Sequence, residues 1–370
     1  MPARFNLTDI TFAEKSAQQI EADLISAFES KRGLSLGLAD PRRLLLQAIV
    51  PILTQQRTKI DFSAKQNLLS YAVGDFLEHV GTSQLVERLK ATRAKTTIRF
   101  DLTTVNTITI PAGIRVTPGN GVFFMSTKET TIEGVTSVEI EVVCTVPGLI
   151  GNGYLPGEIN TLVDPLQWVS SVENITVSEG GADVEDDDSY AERIRKAPES
   201  YSVAGPLGAY RYWASTANPS IIDVYVGSPA PCVIEIRPLM TGGNSPGQEI
   251  LDDVLAICSN RTIRPLTDLV QVEAPEQVNY DINLKYWIDS TKASLATAIQ
   301  QEVLKAIETY KLWQKSKLGR SIDPSEVVAL VKNAGAKRVE TIAPVYKRIE
   351  NFQVAKDNQT TIIYGGLEND

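Results

Sequence analysis

His79 is the single histidine in 370 residues, so imidazole acid–base chemistry and multi-histidine metal sites have one candidate between them. It stands in Glu78-His79-Val80-Gly81 at a predicted helix end, where an interaction with the helix dipole accounts for it. Carboxylates are plentiful, and their dense cluster is Asp183-Val184-Glu185-Asp186-Asp187-Asp188. Such oxygen-rich runs suit hard cations. Set on calcium-loop spacing, Asp183, Glu185 and Asp187 fall at alternating positions. Asp188, however, takes the place that needs glycine, and Ile194 the place that needs a bidentate glutamate. The run also precedes Ser189-Tyr190-Ala191-Glu192-Arg193-Ile194-Arg195, and negative charge at a helix start is favoured by the dipole. A capping role is therefore expected, with cation binding by residues 183–188 left open. Glycoside hydrolysis needs two carboxylates across a groove, a pairing that 45 acidic residues leave open as well.

Other chemistries find less support. Nucleophile elbows, phosphate-binding loops and H-E-x-x-H are missing. Gly148-Leu149-Ile150-Gly151-Asn152-Gly153 lacks dinucleotide spacing and sits between predicted strands, so it presents no helix N-terminus to a pyrophosphate. Cys144, Cys232 and Cys258 are widely spaced and odd in number, which signals neither a disulfide framework nor zinc; buried, reduced thiols are expected. A net charge of -9 and an aromatic share of 7% work against nucleic-acid binding. No stretch reaches the length of a membrane helix and the N-terminus lacks a secretory signal, so a cytoplasm-like solvent without membrane insertion is expected. No catalytic, cofactor-binding or metal residue is assigned, no cofactor is expected, and the chain is not expected to be an enzyme.

Length and patterning point to several domains in one α+β chain. There is an N-terminal helical section (1–95), a small antiparallel β-domain (96–178), and two mixed α/β units (179–275 and 276–370). Asp40-Pro41 opens a helix in which Leu45, Ile49, Ile52 and Leu53 form an apolar stripe, with Pro51 expected to kink or divide it. A short helix is predicted over 83–91. From Thr97 the period becomes two, with Ile98, Phe100 and Leu102 alternating with polar residues, and frequent glycine and proline turns follow to residue 178. Helices are predicted near 207–217, 247–260 and 292–313, with another opened by Asp323-Pro324. Strands are predicted at 221–226, 232–237, 268–273, around 282–286, at 339–342 and at 360–364. Linkers near 92–97, 178–181 and 273–277 are hinge candidates. Charge is uneven: residues 1–100 carry 14 basic against 10 acidic side chains, and residues 101–200 carry 5 against 16. A basic end meeting an acidic middle on a neighbouring copy would guide assembly, although a solvated acidic face needs no partner.

Several blocks, in order, resemble the baseplate J-like family of contractile tails. They begin with Gly74-Asp75-Phe76-Leu77-Glu78-His79-Val80-Gly81 and Arg88-Leu89-Lys90-Ala91-Thr92. Ile110-Pro111-Ala112-Gly113 with Phe123-Phe124 follows, then Pro147-Gly148-Leu149-Ile150-Gly151-Asn152. Next come Gly180-Gly181-Ala182-Asp183-Val184-Glu185 with Tyr190, Arg193 and Arg195, and Gly205 leading to Tyr210, Trp213, Ala214 and Ile221. Arg264-Pro265-Leu266-Thr267 and the segment from Leu318-Gly319 to Val328 complete the series. The chain departs from the pattern at Arg320-Ser321-Ile322-Asp323 and Ser228-Pro229-Ala230-Pro231.

The resemblance covers roughly 40–350 and implies a structural subunit of the baseplate wedge. The implied partners are further copies of the chain, two per wedge, a wedge protein of the tail protein I type, and sheath-initiating or hub-proximal baseplate proteins. The implied setting is a ring around the hub and spike, rearranging when the sheath contracts, in a virion tail or tail-like particle assembled in the bacterial cytoplasm. A receptor-binding or carbohydrate-active tail protein is the alternative. If assembly drives function, the N-terminal helix and the 292–313 helix should leave apolar stripes exposed, and removing residues 1–95 should abolish ring or dimer formation without unfolding the rest.

Overall fold

The computed structural model describes residues 3–14, 16–104, 107–202 and 204–369, in two compact units. The first joins residues 1–88 to 186–198. Its helices are α1 (Ala17–Arg32), α2 (Pro41–Lys65), α3 (Asp75–Ser83) and α4 (Asp187–Lys196). Ser16 caps α1, which was not foreseen from the sequence, and Asp40 caps α2 by accepting the Arg42 N–H at 2.9 Å. The 25-residue α2 continues through Pro51, with Val50 beside it buried and α1 packed along the helix.

The expected helix over 83–91 is absent. At the end of α3, Leu85 turns left-handed (φ 57°), Leu85 N–H donates to the Thr82 carbonyl, and Val86 N–H donates to the Gly81 carbonyl. This Schellman pair stops the helix despite the apolar spacing that follows. α4 then packs here through Tyr190, whose hydroxyl donates to the Val86 carbonyl at 2.8 Å. Gly81 makes that approach possible, since a Cβ there would lie 2.0 Å from the Tyr190 hydroxyl.

Among the described residues the second unit, 89–185 and 199–370, contains three large cores and a small cluster of Leu239, Leu318 and Val354. In the first, β1 (Lys95–Leu102) alternates buried and half-buried residues, with Ile98, Phe100 and Leu102 inward as their spacing requires. β2 (Ile108–Ile110) and β5 (Thr130–Ile132) form a side ladder. β3 (Arg115–Thr117), β4 (Phe124–Ser126), β6 (Ser137–Cys144), β7 (Thr161–Leu162) and β8 (Val169–Asn174) join β1 in an antiparallel sheet. Its order is β7-β3-β4-β6-β1-β8, and the two end strands lie side by side, so the sheet is nearly a closed barrel around Phe100, Phe124, Val142 and Ile159.

The second core lies between α5 (Leu207–Ser215), α6 (Gln248–Cys258) and the sheet of β9 (Ile221–Ala230), β10 (Val233–Met240) and β11 (Leu269–Val272). In the third, α7 (Ala296–Lys315) and α8 (Pro324–Asn333) cover β12 (Glu276–Asp289), β13 (Arg338–Ala343) and β14 (Gln353–Glu368), in the order β13-β12-β14. On α7, expected to leave an apolar stripe exposed, Ile299, Val303, Ile307 and Tyr310 pack on the sheet, while Leu304 and Leu312 stay exposed.

The hinge candidates lie beside paired backbone. Thr92 pairs with Ala182 and Lys95 with Glu179, while Glu276 opens β12. Because 92–95 belong to these ladders and α4 depends on Gly81 and Val86, removing residues 1–95 would cut into both compact units.

Candidate interaction surface

α2 has two faces. Val50, Asp61 and Lys65 are buried on one, and Leu45 (64% exposed), Ile49 (37%), Ile52 (57%) and Ile60 (56%) line the opposite side. Steps of four, three and eight residues keep the four within one stripe of a 3.6-residue helix. A soluble helix with one packed face ordinarily turns polar residues outward, and α2 instead carries a second apolar stripe. Arg57 and Lys59 lie among the same turns, and α2 carries five basic residues against the single acid Asp61. The sequence pattern disclosed a stripe at 45, 49, 52 and 53; in the structure 45, 49 and 52 are exposed and Leu53 is half-buried.

The acidic run is divided among separate partners. Glu185, buried, accepts the Leu89 N–H at 3.0 Å, and Asp183 is exposed beside Gly148. Asp186 caps α4, its Oδ1 accepting the N–H groups of Asp188 and Ser189 at 2.9 Å and its Oδ2 accepting the Ser189 hydroxyl at 2.8 Å. Burial opposes ionisation of Asp186, and these donors outweigh it, holding the carboxyl below its ordinary range. Asp187 accepts from the Gly74 N–H at 3.0 Å and from Arg88 at 2.7 Å; burial is again outweighed and its carboxyl is also held low. Asp188 pairs with Arg4 at 2.5 Å. The helix-start role expected from sequence is the one the geometry displays.

Two glycine-bearing segments distant in sequence meet in the second unit. Asn152 accepts the Gly181 N–H at 2.9 Å and donates to the Gly181 carbonyl at 2.7 Å. Residues 148–153 are therefore part of the framework. Nearby, α6 starts after Gly247, which has no capping side chain, and Glu179 supplies the cap by accepting the Glu249 N–H. A Cβ on Gly247 would fall 1.6 Å from both Glu179 oxygens. Lys95 pairs with Glu249. Burial pushes the carboxyls of both Glu179 and Glu249 above the ordinary range, against the Glu249 N–H in the first case and Lys95 in the second. These acids, which sequence reasoning did not single out, hold a helix start and an ion pair.

His79 is exposed within α3. Cys144 and Cys258 are buried as expected, and burial pushes the Cys258 thiol up to about 12, far from a nucleophile's range. Cys232 corrects the expectation: it is exposed at the tip of the β9–β10 hairpin with φ 63°, where the two-residue turn Pro231-Cys232 demands the left-handed region. Among the described residues no group of histidine, cysteine or acidic side chains is arranged to hold a metal ion, and no helix is long and apolar enough to cross a membrane.

Two family descriptions match the chain: the baseplate J-like protein barrel domain over residues 97–181 and the baseplate J-like central domain over residues 202–274. Baseplate protein J of Escherichia phage P2 is 30% identical over 205 residues, which is 54% of this chain and 66% of that protein, so the match spans just under two thirds of the relative. A chain in the cryo-EM structure of the anti-feeding prophage (AFP) baseplate, 6-fold symmetrised, is 12% identical. That match covers 95% of this chain and 100% of the other, with a TM-score of 0.41.

Proposed function

Because the chain belongs to the baseplate J-like family, we propose that it is a structural, non-enzymatic subunit of a contractile-tail baseplate, working through its surfaces. In the finer form of this reading it is a wedge subunit, with two copies engaging one wedge protein of the tail protein I type. Wedges close into a ring around the hub and spike, touching sheath-initiating or hub-proximal proteins and rearranging when the sheath contracts. Its place is the tail baseplate of a virion or tail-like particle, after assembly in the host cytoplasm. Sections 1–95, 96–178, 179–275 and 276–370 serve in turn as helical assembly section, β-rich domain, mixed α/β domain and C-terminal α/β domain.

The observation that carries the reading is the outward stripe of α2, whose four aliphatic residues have no partner within their own unit's packed face. Assembly energy comes from such buried apolar patches, and charge sets register and partner choice. The capping and ion-pair roles of Asp186, Asp187, Glu179 and Glu249 support the non-enzymatic part, since these carboxylates are already engaged. The test is genetic and structural. Particles produced from the gene cluster with this chain deleted should lack baseplates, and restoring the chain should restore them. Complete baseplates formed without it would refute the role.

A further inference from the structure

β14 is a sixteen-residue strand at the edge of its sheet: its inner side runs parallel to β12, and among the described residues no strand pairs with its outer side. Long open edges invite pairing, and natural proteins blunt them with inward charges, proline or a covering element. Here the central run Thr360-Thr361-Ile362-Ile363-Tyr364 is β-branched and aromatic, free of charge and proline, and largely exposed.

Features on its two flanks are evenly spaced about Ile362. The ladder with β12 shifts once between Asp357 and Thr360 and again between Tyr364 and Leu367, at equal distances from Ile362 on either side. Lys356 and Glu368 are also equidistant from it. They pair with Asn279 and Asp289, which alternate with the buried Tyr280 to Ile288 series, so both charges lie on the sheet face away from α7. Antiparallel pairing about Ile362 would set Thr360 opposite Tyr364, Thr361 opposite Ile363, and Lys356 opposite Glu368, twice over. Opposite charges directly across a strand pair are favourable. Glu368 is held in place by Arg338 at 2.9 Å, and Lys356 has no ion-pair partner among the described residues.

The helix above agrees. Leu304, Glu308, Lys311 and Leu312 share one side of α7, and Lys311 reaches Asp357 of β14 at 3.7 Å, so this side borders β14. Leu304 and Leu312, left exposed there, would face their counterparts, because a two-fold axis perpendicular to a continuous sheet puts both helix layers on the same side.

Resting on the assembly role given above, we propose that the outer edge of β14 joins the same edge of a second copy of this chain, antiparallel and centred on Ile362, making one six-stranded sheet. The occupant is a second copy because the edge is complementary to itself in both charge and bulge position.

The test uses the full chain carrying Cys232→Ser, which removes the exposed native thiol, with one new cysteine at a time and mild oxidation by diamide. Ile362→Cys chains should form disulfide-linked dimers on the order of 100-fold faster at micromolar concentration than the unsubstituted chain does through Cys232, since pairing raises the local thiol concentration toward millimolar. Lys356→Cys and Glu368→Cys chains should crosslink when mixed, and neither should do so alone. Adding Ile363→Lys to Ile362→Cys should remove the fast crosslink without lowering the melting temperature, which separates loss of pairing from misfolding. Crosslinking at Ile362 no faster than at Cys232, or no mixed product between the 356 and 368 variants, overturns the proposal. Crosslinked dimers from a chain that enters no baseplate would leave the edge pairing standing and refute the assembly role. Baseplates whose copies never crosslink at Ile362 would do the reverse.

Discussion

Replacing Leu45, Ile49, Ile52 and Ile60 together by glutamine separates folding from association. In the isolated chain Leu45, Ile52 and Ile60 are more than half exposed and Ile49 just over a third, so the change should alter stability by about 0.5 kcal/mol at each of the first three sites and about 1 kcal/mol at Ile49, and glutamine keeps nearly the helix propensity of leucine. Their remaining exposures of 64%, 37%, 57% and 56% amount to roughly two complete aliphatic side chains. At about 2 kcal/mol for full burial of each, a partner covering the stripe gains about 4 kcal/mol from it. Loss of that gain weakens association about 1000-fold, taking a nanomolar complex to micromolar. Thermal melting followed by circular dichroism reads the first quantity, and sedimentation of the chain mixed with its baseplate neighbours reads the second. A quadruple variant that associates within threefold of the parent refutes the reasoning, as does one that melts as though its core had been opened.

Other consequences follow from single contacts. Gly81→Ala places a methyl group against the Tyr190 hydroxyl and should cost about 1–3 kcal/mol by overpacking, seen as a lower melting temperature with early proteolysis near α4. Cys232→Gly should stabilise the chain by several tenths of a kcal/mol, because relief of a left-handed residue, worth about 1–2 kcal/mol, exceeds the extra unfolded-state entropy of glycine; a lower denaturation midpoint would contradict this. Asp186→Ala removes the α4 cap and should cost about 1 kcal/mol in urea unfolding.

Acid should act oppositely on two helix starts. Asp186 and Asp187 are held low, so their stabilisation is complete above about pH 4 and is lost as pH falls through their lower folded values. Glu179 and Glu249 are held high; their ionisation weakens the fold at neutral pH, and that cost is relieved as pH falls through their raised values. Hydrogen-exchange protection, corrected for intrinsic rates, should therefore hold or rise in α6 and fall in α4 between about pH 5 and pH 3. Parallel loss in both helices would contradict these assignments.

Much of the architecture was legible because local signals agreed with the packing. Asp40-Pro41 and Asp323-Pro324 start helices as their chemistry requires, and alternation from Ile98 to Leu102 gives β1 its buried face. The failures have tertiary causes. The apolar spacing after Ser83 is helical on paper, but the left-handed Leu85 ends α3 so that Val86 can receive Tyr190 from a segment 104 residues later. β3 and β5 are three residues each, too short for periodicity to register. The stripes of α2 and α7 look alike in sequence; only the placement of α1 and of the C-terminal sheet decides which is covered. Glu179 carried no local mark, since its role depends on a bare helix start at Gly247, far along the chain.

The most direct test of assembly through surfaces is the mass of the native chain, alone and after co-expression with its neighbours from the same gene cluster, measured over a range of concentrations. Stable complexes holding more than one copy together with at least one other baseplate protein are the predicted result. A chain that stays monomeric beside every neighbour would contradict the account.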